Sequence, residues 1–300
     1  MNRIKWICVS VATLVLSQGA YATFVPQDQL RPDWMLMAGG GMTEREFVDT
    51  VNAIAKVYAP VVSQFGARLN MKADWNDTTP NAFATQSGSS WNVTIQGGLG
   101  RRAELTTDGL ALVACHELGH HLGGFPFVPG SFFQKAWAAN EGQSDYFASH
   151  VCARRLWGSQ LDTNATFADK VDPLAKQQCD QVWTTLEDQN LCYRITVAGQ
   201  SIANTLAALT NKPMPSFSTP DTRVVSKTDD NHPVAQCRLD TALQAALCKA
   251  DFDDKLIPGK TVSSGVTSTD AEREAAEKNC TNYSHYSTGL RPTCWFKPRM

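Results

Sequence analysis

The chain has few of the features that would tie it to a membrane, a nucleic acid or a repeat architecture. Beyond the first 22 residues, no apolar run reaches the ~18 residues that a transmembrane helix requires. A formal charge of −2 over 300 residues is too mild to recruit nucleic acid or an anionic membrane surface. There is no internal repeat, which excludes solenoids and propellers. Disorder is excluded as well, because a chain that is 43% hydrophobic can bury a full core. Histidine is scarce, with six in all, so a cluster of them is informative.

Cysteine is plentiful, and the N-terminus explains why. Arg3 and Lys5 precede an apolar stretch, Ile7 to Leu16, and Ala20-Tyr21-Ala22 forms an A-x-A site. This is the layout of a secretory signal peptide, residues 1–22, and it predicts an exported chain beginning at Thr23, periplasmic or secreted. Loss of Arg3 and Lys5 takes the charge from −2 to −4. Of nine cysteines only Cys8 lies in that segment; the remaining eight are an even set in an oxidising compartment, so disulfides are expected. One pairing is excluded by geometry. Cys237 and Cys248 share a helix predicted over 234–250, which separates them by about 16 Å, whereas disulfide partners need Cα atoms within about 7 Å.

Periodicity and caps give the elements. Thr43 and Glu46 form a capping box for an amphipathic helix that is secure to Ala59 and is kinked or ended by Pro60. "RLNMKADW" reads as a strand, and "NAFATQ" with "SWNVTIQ" as a hairpin. "TTDGLALVACHELGHHLGG" reads as a buried helix, with Thr106 or Thr107 as cap and Gly123 as stop. Further helices are predicted over 140–157, 167–188, 195–210 and 234–250. The fold class is α+β, mainly helical, with a small antiparallel sheet beside the helix of the histidine cluster. The organisation expected is a signal peptide over 1–22, a catalytic domain over 23–250 and a cysteine-containing tail over 251–300.

Within that buried helix, His116, Glu117 and His120 spell H-E-x-x-H. From the chain's own frequencies an accidental match is expected in on the order of 0.004 chains of this length. Residues i and i+4 differ by about 40° around the helix axis, so His116 and His120 can aim at one ion while Glu117 flanks it. His121 is rotated about 140° from His116 and is read as a polar residue at a helix end, outside the metal shell. A catalytic zinc takes three protein ligands and keeps one position for water. "EGQSD" supplies the third: Glu141 as ligand, with Asp145 one turn on as acceptor for the far ring nitrogen of His116. A purely structural zinc is disfavoured, because such sites usually have four protein ligands. One Zn2+ per chain is expected, although other divalent ions are not excluded by the donor set.

These motifs resemble the gluzincin metallopeptidases. Three further stretches narrow the resemblance to the CAAX-prenyl-protease-like family: "PNAFATQSGSSWNVTIQGGL" (80–99), "DGLALVACHELGHHL", and "HPVAQCRL" (232–239) with Arg238 six residues after His232. The resemblance covers roughly residues 43–250. Membrane spans found in several relatives have no counterpart here, and the cysteine set is unusual. The resemblance implies a zincin-like catalytic domain and places the His-Pro…Arg segment beside the cleft. His232 or Arg238 then stabilises an oxyanion, or His232 takes the fourth position on the metal in a resting state. Asn81 lines the substrate cleft, and the strand Trp91–Gln96 pairs with an extended substrate.

The function expected is a zinc endopeptidase acting on protein or peptide substrates, with Glu117 as general base. The alternative from another class is a chaperone-like or assembly-binding factor whose zinc site is capped. A disulfide-rich binding module without metal is a third reading. Cys115 is either a small core residue or a disulfide partner, and a bridge to Cys152 would staple the two metal-bearing helices.

Overall fold

The computed structural model describes residues 22–31, 41–130, 136–281 and 284–299. The expected signal segment, apart from Ala22, and Cys8 with it lie outside those residues. A short strand, β1 (Ala22–Thr23), comes first, followed by helix α1 (Glu44–Ser63). Thr43 caps α1, its side chain accepting from the Glu46 amide while the Glu46 carboxylate accepts from the Thr43 amide. Pro60 does not end the helix. It lies on the exposed face, where the carbonyl it leaves unpaired is solvated.

Strands β2 (Arg68–Asp74), β3 (Ala82–Ser87) and β4 (Ser90–Gln96) follow. Gly88 turns the β3–β4 hairpin with a positive φ of 57° that a side chain would disfavour. The sheet order is β1-β3-β4-β2, with β1/β3 and β3/β4 antiparallel but β2/β4 parallel. The sheet is therefore mixed, not antiparallel as the sequence suggested. Alternation identifies a strand, but not on which side of a hairpin the preceding strand lies. β4 is consequently central, paired on both edges, and cannot offer an edge to a substrate.

The chain then turns through a short helix, α2 (Gly97–Gly100), into α3 (Thr107–Leu122), which Thr106 caps and which ends at Gly123. α3 is buried on every face from Gly109 to Leu122, the behaviour of a central helix. It is enclosed by α1, the β3–β4 hairpin and two later helices, α4 (Glu141–Phe147) and α8 (Leu186–Leu209). α4 continues through a π-helical turn, Ala148–Cys152, into α5 (Ala153–Trp157), so the segment expected as one helix is continuous but widened in the middle.

α6 (Leu161–Ala165) and α7 (Pro173–Val182) precede α8. The helix expected over 167–188 is broken at Trp183, which is extended, because Thr185 caps a new helix by accepting from the Asp188 amide. α9 (Ala235–Leu247) and α10 (Thr269–Ala276) complete the set. No helix among the described residues is long and apolar enough to cross a membrane.

All eight cysteines among the described residues are paired: Cys115–Cys152, Cys179–Cys192, Cys237–Cys294 and Cys248–Cys280. Cys237 and Cys248 thus take separate partners, as the helix geometry required. Both partners lie beyond residue 250, so the polar tail is stitched to α9 and its C-terminal end. Trp295 is fully buried there and lies against Gly142, where any Cβ would come within 2.2 Å of the indole ring.

Candidate metal centre

α3 and α4 bring the predicted ligands together from opposite sides. Asn140 caps α4 by accepting from the Gln143 amide, which sets Glu141 in the first turn. Gly119 permits the close approach, since a Cβ there would lie 2.8 Å from the Ser144 Cα. The Cys115–Cys152 bond ties the same helices one residue before His116, with Cα atoms 5.8 Å apart.

His116 Nε2 lies 3.2 Å from Glu141 Oε2, and His120 Nε2 lies 3.7 Å from Glu141 Oε1. One donor atom from each of His116, His120 and Glu141 falls within 4.8 Å of the others, so these three buried residues can hold a metal ion. The remaining ring nitrogens orient the imidazoles. His116 Nδ1 donates to Asp145 Oδ1 at 2.7 Å, and His120 Nδ1 donates to the Ala139 carbonyl at 2.8 Å. That assignment leaves both Nε2 lone pairs pointing at the shared centre. Neither Nε2 has a hydrogen-bond partner although both are buried, and the same holds for both Glu117 oxygens. Buried polar atoms without partners are costly, and a cation answers the two imidazoles directly.

Without an ion, the charge states differ from residue to residue. Burial pulls the His120 imidazole down to about 4, so it is neutral and able to ligate. Burial opposes ionisation of Glu141, yet His120, His116 and His232 hold its carboxyl below the usual range. Burial would also lower His116, but the carboxylates of Asp145 and Glu141 prevail and raise it to about 10, so without an ion the ring is protonated and gives up its Nε2 proton on binding a metal. Glu117 is pushed up to about 8, chiefly by burial. Without an ion the carboxyl is therefore held protonated at neutral pH, and a cation bound beside it would favour the ionised form that can take a proton.

The other predicted residues are placed as follows. Arg238 is 3% exposed and reaches Glu141 Oε2 and Asp145 Oδ1, each at 3.2 Å. Its guanidinium therefore holds the ligand carboxylate and the carboxylate behind His116, which makes it a positioning residue. His232 Nε2 lies 3.3 Å from Glu141 Oε1 and donates to the Thr23 carbonyl. Asn81 clamps Val25, with Oδ1 accepting from its amide at 3.0 Å and Nδ2 donating to its carbonyl at 2.8 Å.

His121 lies outside the ligand group, as expected, but it is not a polar helix end. It is fully buried and stacked between Trp91, with centroids 5.0 Å apart, and Trp137, at 4.8 Å. The indoles exclude water from a ring whose Nδ1 and Nε2 both lack hydrogen-bond partners. Sequence reasoning missed the Ala139 carbonyl and the Ser144 hydroxyl, 3.0 Å from His120 Nδ1. It also missed residues Thr23 to Val25. A backbone carbonyl has no sequence signature, and nothing in "TFV" announces a contact with residues two hundred positions away. Comparison of the chain with protein-family models, curated proteins and solved structures returns no match, so its function has to be argued from this centre alone.

Proposed function

We propose that the chain is a zinc-dependent endopeptidase of the gluzincin type that its motifs resemble, acting on protein or peptide substrates in an exported compartment. One observation carries this reading: a buried His-His-Glu donor group stands beside a glutamate that has no partner of its own. A structural zinc usually draws on four protein ligands and has no use for that glutamate. Two imidazoles and a carboxylate suit zinc. A tetrahedron with zinc bonds of ~2.05 Å has edges of about 3.3 Å; His116 Nε2 stands 3.2 Å from Glu141 Oε2, close to such an edge, and His120 Nε2 lies 3.7 Å from the other oxygen. The four disulfides fit an oxidising compartment.

Zinc, when bound, supplies Lewis acidity and lowers the pKa of water. Glu117 takes the proton of the attacking water and delivers it to the leaving amine, a transfer suited to a carboxyl raised by burial. His232 Nε2 already donates to a peptide carbonyl, that of Thr23, and the same donation steadies a substrate carbonyl as charge develops on its oxygen. Asp145 holds the His116 tautomer, while Arg238 holds Asp145 and Glu141 in place.

Glu117→Gln is expected to keep its metal and to lose hydrolysis of an unfolded substrate such as casein by at least ~100-fold. Wild-type turnover by that variant refutes the mechanism. A wild-type chain that holds metal yet hydrolyses nothing fits the binding-factor alternative instead.

A further inference from the structure

The edge of β3 that faces the metal centre is occupied by the chain itself. Ala22 and Thr23 lie antiparallel to Ala84 and Phe83, and the strand direction continues as the Phe24 amide donates to the Ala82 carbonyl at 3.0 Å. Asn81 then takes both backbone groups of Val25. His232 Nε2 donates to the Thr23 carbonyl, and Arg238 Nη2 donates to the Phe24 carbonyl at 3.3 Å.

Two features of this arrangement point past a simple edge strand. Every one of these hydrogen bonds is made to backbone, so the partners would hold any extended peptide as well as they hold "TFV". Their location is also special. The Thr23–Phe24 peptide group lies against the ligands: His232, which holds the Thr23 carbonyl, is 3.3 Å from Glu141, and the Phe24 ring meets the His116 imidazole edge-on at 5.8 Å. A cavity of about 390 Å³, lined by Phe24, Pro26, Leu206, Val234 and Arg238, opens along the segment, which leaves room for it to move.

Resting on the peptidase reading above, we propose that residues 23–26 are an intramolecular pseudo-substrate. In the exported chain, expected to begin at Thr23, they occupy the rim, formed by β3, Asn81, His232 and Arg238, on which extended polypeptides bind antiparallel to β3. A substrate must displace them to reach Glu117. The rim therefore selects unfolded or flexible chains, which can adopt a strand, and the resting protein is held back by its own N-terminal segment.

The test uses the full exported chain in three forms: wild type, Phe24→Ala to loosen the segment, and an oxidised Thr23→Cys/Phe83→Cys pair to lock it. Phe83→Cys alone is the control. Thr23 and Phe83 are directly opposed, at a spacing a disulfide can span. Two readouts are taken. One is kcat/KM on an unstructured fluorogenic peptide. The other is anisotropy of a labelled peptide with the sequence of residues 23–30, in a Glu117→Gln background.

Phe24→Ala is expected to raise kcat/KM at least about fivefold and to bind the peptide, while the lock lowers kcat/KM at least about tenfold relative to its control and abolishes binding. A purely structural strand predicts the reverse, with Phe24→Ala less active and the lock as active as its control; that result overturns the proposal. Should Phe24→Ala fail to fold, the lock against its control decides alone. If no form hydrolyses anything, the peptidase reading has failed, and the peptide arm still decides. Binding by the unlocked control and not by the lock supports the occupied rim, and equal binding or none overturns it.

Discussion

Replacing Asp145 by asparagine is the sharpest test of how the centre is held. Asp145 Oδ1 accepts from His116 Nδ1 at 2.7 Å and from Arg238 Nη1 at 3.2 Å, while Oδ2 has no partner. An amide of the same shape can keep its oxygen towards both donors and place its NH2 where Oδ2 lay. Asp145→Asn therefore removes charge and leaves geometry nearly intact. A hydrogen bond to a charged group contributes about 1.5–3 kcal/mol and a neutral one about 0.5–1.5 kcal/mol, so the bond to His116 weakens by roughly 1–1.5 kcal/mol. Loss of one carboxylate also leaves Arg238 paired only with Glu141, which tightens its hold on the oxygen that must face the metal. Together these put the loss in metal affinity at about 10–100-fold, the range typical of carboxylates that orient a ligand histidine. The assay is competition for zinc against a chromogenic chelator, with circular dichroism confirming the fold. Affinity within twofold of wild type would show that Asp145 does not orient His116, and the reasoning would fail.

Two further outcomes follow from the same contacts. Breaking the staple with Cys115→Ser/Cys152→Ser opens a loop with a sequence separation of 37, for which chain entropy predicts a loss of about 4 kcal/mol; calorimetry should show the loss together with weaker zinc binding, and an unchanged melting temperature contradicts the staple. His121→Phe should change stability by less than ~1.5 kcal/mol and leave zinc content unaltered, because the ring is stacked between two indoles and makes no hydrogen bond through either nitrogen. Loss of zinc in that variant would place His121 in the metal shell.

Legibility followed the range of the interaction. The Thr43 capping box, the hairpin around Gly88 and the i, i+4 pair His116/His120 are set within a few residues, and all appear as the local pattern implies. Glu141 and Asp145 were legible too, because helical spacing places both on one face once a metal is supposed. The parallel β2/β4 pairing, the break at Trp183 and the Trp91–His121–Trp137 stack arise from chain segments that meet only in three dimensions. Arg238 illustrates the boundary. Its presence near the centre was legible from the motif, but its pairing with two carboxylates depends on how α9 meets α4. Disulfide partners divided likewise: helix length excluded Cys237–Cys248, but only the packed tail shows that Cys294 and Cys280 take their places.

On the proposed function, His116, His120 and Glu141 hold one zinc ion in each chain. Elemental analysis by mass spectrometry of the purified exported chain, beside His120→Phe, tests it most directly. The expected result is close to one zinc per wild-type chain and less than a tenth of that in the variant. A wild-type chain without stoichiometric metal, or equal zinc in both proteins, contradicts the account.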